Sequence, residues 1–123
     1  MFSGIIKSFI LVNVYICYVD TSAIYKTIRE TVIANVPGSR VLLFGSHARG
    51  EQDRFSDYDL LVITPLTFSP QEKIRMSTQL DRAIVKAIKA PVDLLLSSEE
   101  EVVQKQQLPG HIIRSAIREG IAL

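Results

Sequence analysis

The sequence has little of what several common protein classes require. It has no tryptophan and only 7% aromatic residues, so a base-stacking platform for single-stranded nucleic acid is poorly supported. Its 14 Lys and Arg nearly balance 13 Asp and Glu, for a formal net charge of +1, and no basic stripe is visible. Direct nucleic-acid binding is therefore not expected. Cys17 is the only cysteine, which excludes an intrachain disulfide, and no Cys/His cluster has the spacing of a zinc site. A reducing, cytoplasmic compartment is expected.

The apolar N-terminus is too short to be an ordinary membrane span. Residues 1–19, MFSGIIKSFILVNVYICYV, are almost entirely apolar, but the uninterrupted part after Lys7 is about a dozen residues and includes Asn13. A spanning helix needs ~20 residues. We expect an incidental extension or a misassigned start, rank a membrane anchor second, and rank a signal peptide last. The rest of the chain, residues 20–123, is long enough for one domain and too short for two.

The order of apolar patterns and turn residues predicts alternating helices and strands. Apolar residues at every fourth position predict a first helix, preceded by capping residues at 20–22 and ended by the PGS at 37–39. Strands are predicted at 40–44 (RVLLF), 58–64 (YDLLVIT) and 92–96 (VDLLL). Further helices are predicted to begin near Ser46, at Pro70, after Ser97 or Ser98, and after the LPG at 108–110, the last of them running through Glu119.

This order restricts how the strands can pair. The helix between the second and third strands is long enough for a parallel crossover. Asp57, Asp59 and Asp93 stand at or near the starts of these two strands, so a parallel pair gathers them at one edge. Gly45 and Ser46 follow the first strand, which must run antiparallel to the second to bring them to that edge. We therefore predict an α/β fold, of the two-layer α+β kind, with a small mixed sheet packed against helices.

The three carboxylates at this edge are typical of a magnesium site. Asp57 and Asp59 are two residues apart on a strand and share a face, while Tyr58 points the other way. Two adjacent carboxylates repel each other unless a cation lies between them, and hard oxygen ligands suit Mg²⁺. With Asp93 as a third ligand, two ions could be held for an in-line displacement at phosphorus. Asp93 would then be placed to accept the proton of the attacking hydroxyl.

The turn after the first strand is typical of phosphate binding. Gly45 lets the backbone approach a phosphate, Ser46 offers a hydroxyl, and Arg49 could contact phosphate oxygens or the departing pyrophosphate. Arg49 has an alternative as a structural salt bridge to Asp53, Asp57 or Glu51. A Walker A loop shares the glycine spacing, but Glu51 and Gln52 stand where that motif needs Lys and Ser or Thr.

Together these motifs resemble those of a known family. GSHARG, ten residues between Gly-Ser and DYD, SDYDLLV and then PVDLLL look like the minimal nucleotidyltransferases (MNT) of the DNA polymerase beta superfamily. They also resemble the MntA-type antitoxins of HEPN/MNT toxin–antitoxin pairs. The resemblance covers roughly residues 20–123, and the apolar N-terminus departs from the family, whose members usually begin near the first helix.

The resemblance implies a polymerase-beta-like fold, a chemistry and a partner. Gly45 and Ser46 would bind the nucleotide triphosphate, Asp57 and Asp59 would ligate both Mg²⁺ ions, and Asp93 would complete the catalytic metal site. Family members transfer a nucleotide, typically AMP from ATP, to a hydroxyl. In the toxin–antitoxin branch the acceptor would be a tyrosine of the partner HEPN ribonuclease toxin, which the modification silences.

Two other functions remain open from the sequence. The same chemistry could act on a small molecule, as in aminoglycoside nucleotidyltransferases, although those enzymes have further domains that bind the drug. The chain could also be a non-catalytic antitoxin that neutralises by binding alone. Several polar residues have simpler explanations, with His47 lining the short helix, His111 starting the last helix, and the acidic run at 99–101 favouring a helix dipole.

Overall fold

The computed structural model describes residues 22–123. The predictions for residues 1–19 and for a cap at 20 or 21 lie outside the described residues. The described part holds helix α1 (22–35), followed by strand β1 (Arg40–Phe44), α2 (Gly45–Arg49), β2 (Tyr58–Thr64), α3 (Pro70–Ile88), β3 (Val92–Ser98), α4 (Glu99–Lys105), α5 (Ile112–Glu119) and β4 (Ile121–Ala122). Among these residues, no helix combines the length and the apolar character needed to cross a bilayer.

Most helix boundaries follow from capping residues that the sequence displays. The Ser69 side chain accepts a hydrogen bond from the Glu72 backbone N–H, and Pro70 occupies the first helical position of α3. Ser98 caps α4 through a reciprocal capping box with Glu101. The ring of His111 accepts from the backbone N–H of Ile113 and caps α5, as its predicted place at a helix start requires.

The sheet has the predicted strand directions and one strand that was not predicted. Its order is β3-β2-β1-β4, with β2 parallel to β3 and β1 antiparallel to both β2 and β4. Strand β4 is only two residues long and pairs with Leu42 and Leu43. It follows α5 directly through Gly120, where an added Cβ would meet the Ala116 carbonyl oxygen and lie 3.3 Å from Leu42 Cβ. Glycine is therefore required there for space, since its φ of −67° is open to any residue.

Helices cover both faces of the sheet. Alternate residues of β2 separate into two buried clusters, because side chains along a strand point to opposite faces. Leu60 and Val62 pack with α1 and α3, whereas Leu61 and Ile63 pack with α4 and α5. The α/β fold with a small mixed sheet packed against helices is confirmed. All four residues are fully buried, because α1 and α3 cover one face of the sheet and α4 and α5 cover the other.

Candidate active site

The predicted site residues meet at one end of the sheet. In the strand register, Phe44 of β1 lies opposite Asp59 of β2, and Asp59 lies beside Asp93 of β3. The chain leaves β1 at Phe44 and enters Gly45 at once, so the start of α2 reaches the same end. Asp57 directly precedes β2. The parallel β2–β3 pair and the antiparallel β1 together produce this convergence, as the crossover argument predicted.

The carboxylates differ in how far they reach into solvent. Asp59 is half-buried, whereas Asp57 and Asp93 are exposed. Asp59 lies on the face of β2 that carries Leu61, the face covered by α4 and α5. Tyr58 points the other way and packs against the cluster beneath α1 and α3. Asp59 is thus the most buried of the three carboxylates, and it lies on the face that α4 and α5 cover.

The ionised form of Asp59 is disfavoured in the free protein. Burial is the largest cause that raises the pKa of Asp59 above its usual range, and the neighbouring Asp93 and Asp57 add to it, while His47 and Arg49 act in the opposite direction. A cation among the three would relieve this repulsion, and carboxylate oxygens are the donors that Mg²⁺ prefers. Within residues 22–123, however, no group of three or more His, Cys, Asp or Glu side chains is arranged as a ready metal site.

Gly45, directly after β1, packs so closely against the Asp59 side chain that only glycine fits there. Its φ is +73°, and a Cβ added there would collide with Asp59 Oδ2 and lie 2.8 Å from Asp59 Cγ. The absence of a side chain at position 45 therefore leaves room for the Asp59 carboxyl group. Ser46 follows, half-buried in the first turn of α2. The Gly-Ser turn and the Asp-x-Asp strand are consequently in direct contact.

Sequence reasoning missed one acidic residue at this corner. Glu119, the last residue of α5, accepts a hydrogen bond from the Gly45 backbone N–H at its Oε1 atom (3.1 Å). Arg49 Nη1 donates to Glu119 Oε1 and Oε2 at 3.2 and 3.3 Å. Glu119 is 74 positions away from Gly45, and no local motif marks it as anything but a helix end. Only the fold, which packs α5 against β1 and α2, reveals it.

Arg49 is shared between two carboxylates. Its Nε donates to Glu51 Oε2 at 2.9 Å, one of the salt bridges expected from the sequence, while its Nη1 holds Glu119. The hydrogen bond to Glu51 is the first cause that raises the pKa of Arg49, with a further contribution from Glu119. The side chain of Arg49 is 45% exposed, so it remains accessible to a ligand.

His47 has a structural place beside the site. Its ring stacks on Tyr58 with centroids 3.9 Å apart and an angle of 12° between the planes. Its Nε2 lies 3.3 Å from the Ser56 carbonyl oxygen. These contacts attach α2 to the start of β2 and so hold the Gly-Ser turn next to the carboxylates. They agree with the expectation that His47 lines the short helix.

Three solved structures share this fold. The first comes from a crystal of a mutant MntA–HpeT toxin–antitoxin complex, with a TM-score of 0.57 and 21% identity, covering 80% of this chain and 70% of that chain. The second is a toxin–antitoxin structure with AMP-PNP (TM-score 0.52, 22% identity, the same coverage). The third contains the tri-AMPylated Shewanella oneidensis HEPN toxin with its MNT antitoxin (TM-score 0.50, 18% identity, covering 82% and 69%). At these identities the likeness establishes the polymerase-beta-like fold.

Sequence comparison identifies the family. No curated protein matches this chain, but the family model described as nucleotidyltransferase domain matches residues 25–123. That range includes every strand of the sheet and all of the candidate site residues. The resemblance stated from GSHARG, SDYDLLV and PVDLLL is thereby confirmed, and so is the prediction of a nucleotidyltransferase. The chain belongs to the nucleotidyltransferase domain family.

Proposed function

We propose that this protein is an Mg²⁺-dependent adenylyltransferase that moves AMP from ATP to a hydroxyl group of a partner protein, a tyrosine of a HEPN-type toxin. The observation that carries the proposal is the row formed by Gly45, Asp59 and Asp93 across three adjacent strand ends. This row places a turn that is typical of phosphate binding directly beside the carboxylates of Asp59 and Asp93. Relatives in fold that contain AMP-PNP or an AMPylated HEPN toxin agree with it.

The donor set at this corner fits magnesium. Asp57, Asp59 and Asp93 would hold the ions; the pKa of Asp59 is raised by burial and then by the neighbouring Asp93 and Asp57, and an added cation would offset the repulsion among the three. When bound, Mg²⁺ would neutralise the triphosphate and stabilise charge that develops on its oxygens. Gly45 and Ser46 would position the β and γ phosphates, and Arg49 would stabilise the leaving pyrophosphate.

The proposed reaction is a single displacement. The acceptor hydroxyl oxygen bonds to the α-phosphorus of ATP, the bond from that phosphorus to the bridging oxygen breaks, and pyrophosphate leaves. Asp93 accepts the hydroxyl proton as general base. Asp93 is exposed on β3, the edge strand of the sheet, and borders a shallow cleft of about 300 Å³ that Ser77 and Asp81 of α3 also line. An exposed base on an edge strand suits an acceptor presented by another protein.

The test is transfer of AMP to the natural partner. We would incubate the protein with ATP, Mg²⁺ and the product of the adjacent gene, and measure the intact mass of that product. We expect one or more AMP additions with the wild type and none with an Asp57→Ala, Asp59→Ala double variant. Glu100→Gln, which removes an exposed carboxylate from α4, is the control and should still transfer AMP.

The two other functions would give different results in the same experiment. If the double variant still neutralises the toxin while transfer is lost, neutralisation is by binding and catalysis is not its cause. If AMP is transferred to a small hydroxyl compound and never to the partner, the protein is a small-molecule nucleotidyltransferase. If no AMP is transferred and the wild type binds no ATP, the proposal of an adenylyltransferase is wrong.

A further inference from the structure

One carboxylate occupies both of the donors that we assign to the phosphates of ATP. Glu119 Oε1 accepts from the Gly45 N–H at 3.1 Å, and both of its oxygens lie within 3.3 Å of Arg49 Nη1. A carboxylate that accepts from a backbone N–H and from a guanidinium group makes the contacts that two non-bridging phosphate oxygens would make. Glu119 therefore has the geometry of a phosphate substitute in the free protein.

The carboxylate and a triphosphate compete for these donors. The Gly45 N–H has one hydrogen to donate, and Glu119 accepts it. Arg49 gives its Nε to Glu51 at 2.9 Å and its Nη1 to Glu119, so competition at Arg49 is partial, because a guanidinium group has five N–H donors. A phosphate placed beside the Glu119 carboxylate would also add a like charge at close range, in a corner that already contains Asp57, Asp59 and Asp93. A triphosphate that accepts from the Gly45 N–H must therefore displace the side chain of Glu119.

The fold allows the side chain to leave without moving the backbone. Glu119 is the last residue of α5, and its side chain is 32% exposed on the same side as Arg49. The chain beyond it is fixed, since Gly120 packs tightly on Ala116 and the next residues pair with β1. A rotation of the Glu119 side chain into solvent is sufficient to free both donors. Exposed ion pairs of this kind are weak enough for a ligand to replace.

We propose that Glu119 is an internal competitor for the triphosphate: it holds Gly45 and Arg49 in the free protein, and ATP binding displaces it. The inference rests on the proposed function, since it takes the ligand to be a nucleoside triphosphate at this turn. It predicts that removing the Glu119 carboxylate strengthens nucleotide binding. A residue that merely supported the turn would have the opposite effect, so the sign of the change distinguishes the two roles.

The test compares binding of AMP-PNP in the presence of Mg²⁺, by calorimetry, to the wild type and to Glu119→Ala and Glu119→Gln. We expect roughly three- to tenfold tighter binding for Glu119→Ala, the equivalent of losing one or two competing hydrogen bonds. Glu119→Gln should have a smaller gain, because its amide oxygen still accepts from Gly45. Glu51→Gln is the matched control: it removes the other carboxylate from Arg49 but leaves Gly45 engaged, and should change affinity less than Glu119→Ala.

Thermal unfolding supplies an independent measurement. Without ligand, Glu119→Ala should unfold at a lower temperature than the wild type, yet AMP-PNP should raise its unfolding temperature by more. If Glu119→Ala does not fold, the sign of the change in Glu119→Gln decides. If the wild type binds AMP-PNP and the Glu119 variants bind equally or more weakly, the competitor role is wrong while the proposed function stands. If neither the wild type nor any variant binds, both proposals are wrong.

Discussion

Two carboxylate groups at opposite ends of the same sheet have pKa values shifted in opposite directions. Glu101, beyond the end of β3, accepts from Lys73 Nζ at 2.7 Å, Lys105 Nζ at 3.3 Å and the Ser98 N–H at 3.1 Å. Burial alone would raise its pKa, but these hydrogen bonds outweigh burial and lower the pKa of Glu101 to about 2. Asp59, at the start of β2, has a raised pKa, because burial is reinforced by Asp93 and Asp57.

This difference in pKa distinguishes Glu101, which has a structural role, from Asp59, which we propose binds a metal ion. Glu101 ties α3 to α4 and caps a helix, and its charge is satisfied by groups of this chain. The nearby cation at the other end, Arg49, is committed to Glu51 and Glu119 instead of to Asp59. The chain neutralises the half-buried Glu101 with two lysines, whereas Asp57, Asp59 and Asp93 lie at one corner where an added cation would offset their repulsion.

The largest expected effect comes from neutralising Asp59. We expect Asp59→Asn to reduce AMP transfer at least about a thousandfold, since a metal-ligating carboxylate is lost. Because the raised pKa means that the folded protein disfavours the Asp59 carboxylate, the same variant should unfold at a higher temperature at neutral pH. Intact-mass analysis of the partner and thermal unfolding measure the two effects.

Added Mg²⁺ provides the control for Asp59→Asn. It should raise the unfolding temperature of the wild type and have little effect on the variant. A variant that loses activity and is also less stable than the wild type would contradict the comparison, since Asp59 would then act as a structural group like Glu101.

The second prediction concerns the contact between the turn and Asp59. Gly45 and Gly50 have nearly the same φ, +73° and +71°, but a Cβ at Gly50 would meet nothing within 4 Å. Left-handed backbone costs a non-glycine residue about 1 kcal/mol, so Gly50→Ala should lose about that much stability. Gly45→Ala should lose about 2–3 kcal/mol, because its Cβ also collides with the Asp59 carboxyl group.

Chemical denaturation and the AMP-transfer assay would measure this pair of variants. Gly45→Ala should abolish transfer, because its Cβ displaces the Asp59 carboxylate, whereas Gly50→Ala should retain most of it. Equal losses of stability and activity in the two variants would show that the φ angle alone matters and that Asp59 does not depend on Gly45.

Much of this site could be predicted because its chemistry is local. Four of the predicted site residues lie within one short stretch, 45–59: Gly45, Ser46, Asp57 and Asp59. The helix between β2 and β3 is long enough for a parallel crossover, which brings Asp93 beside Asp59. The site residues themselves remain predictions for the experiments above. The strand directions were confirmed because only an antiparallel β1 brings the Gly-Ser turn to the carboxylates.

What was missed depends on packing between distant segments. Glu119 reaches Gly45 only because α5 docks on β1 and α2, and the two residues of β4 are too few to show an alternating pattern. The burial of the sheet on both faces is visible in the sequence. The LLVI run of β2 is apolar at consecutive positions, which is typical of a strand buried on both faces.

The smallest expected effect is a loss of stability on replacing Glu101, the structural carboxylate. Glu101→Gln should lose about 1–2 kcal/mol of stability at neutral pH, since its side chain is only 20% exposed and loses two charged donors. Glu99→Gln is the matched control: Glu99 also pairs with a cation, Arg40, but the two side chains are 48% and 55% exposed. Surface pairs contribute about 0.5 kcal/mol, so its loss should be smaller.

The pH dependence of unfolding gives the sign of the Glu101 effect. Because the pKa of Glu101 is lowered from 4.5 to about 2 in the folded protein, its stabilisation is complete above the unfolded pKa and disappears as pH falls from about 4.5 towards 2. The Glu101→Gln variant should therefore lose less stability than the wild type over that range. Asp59 acts in the opposite direction, since protonating it relieves repulsion, and Asp59→Asn should make the acid-induced loss steeper. Parallel unfolding curves for all three proteins between pH 5 and 2 would remove the distinction between the two ends of the sheet.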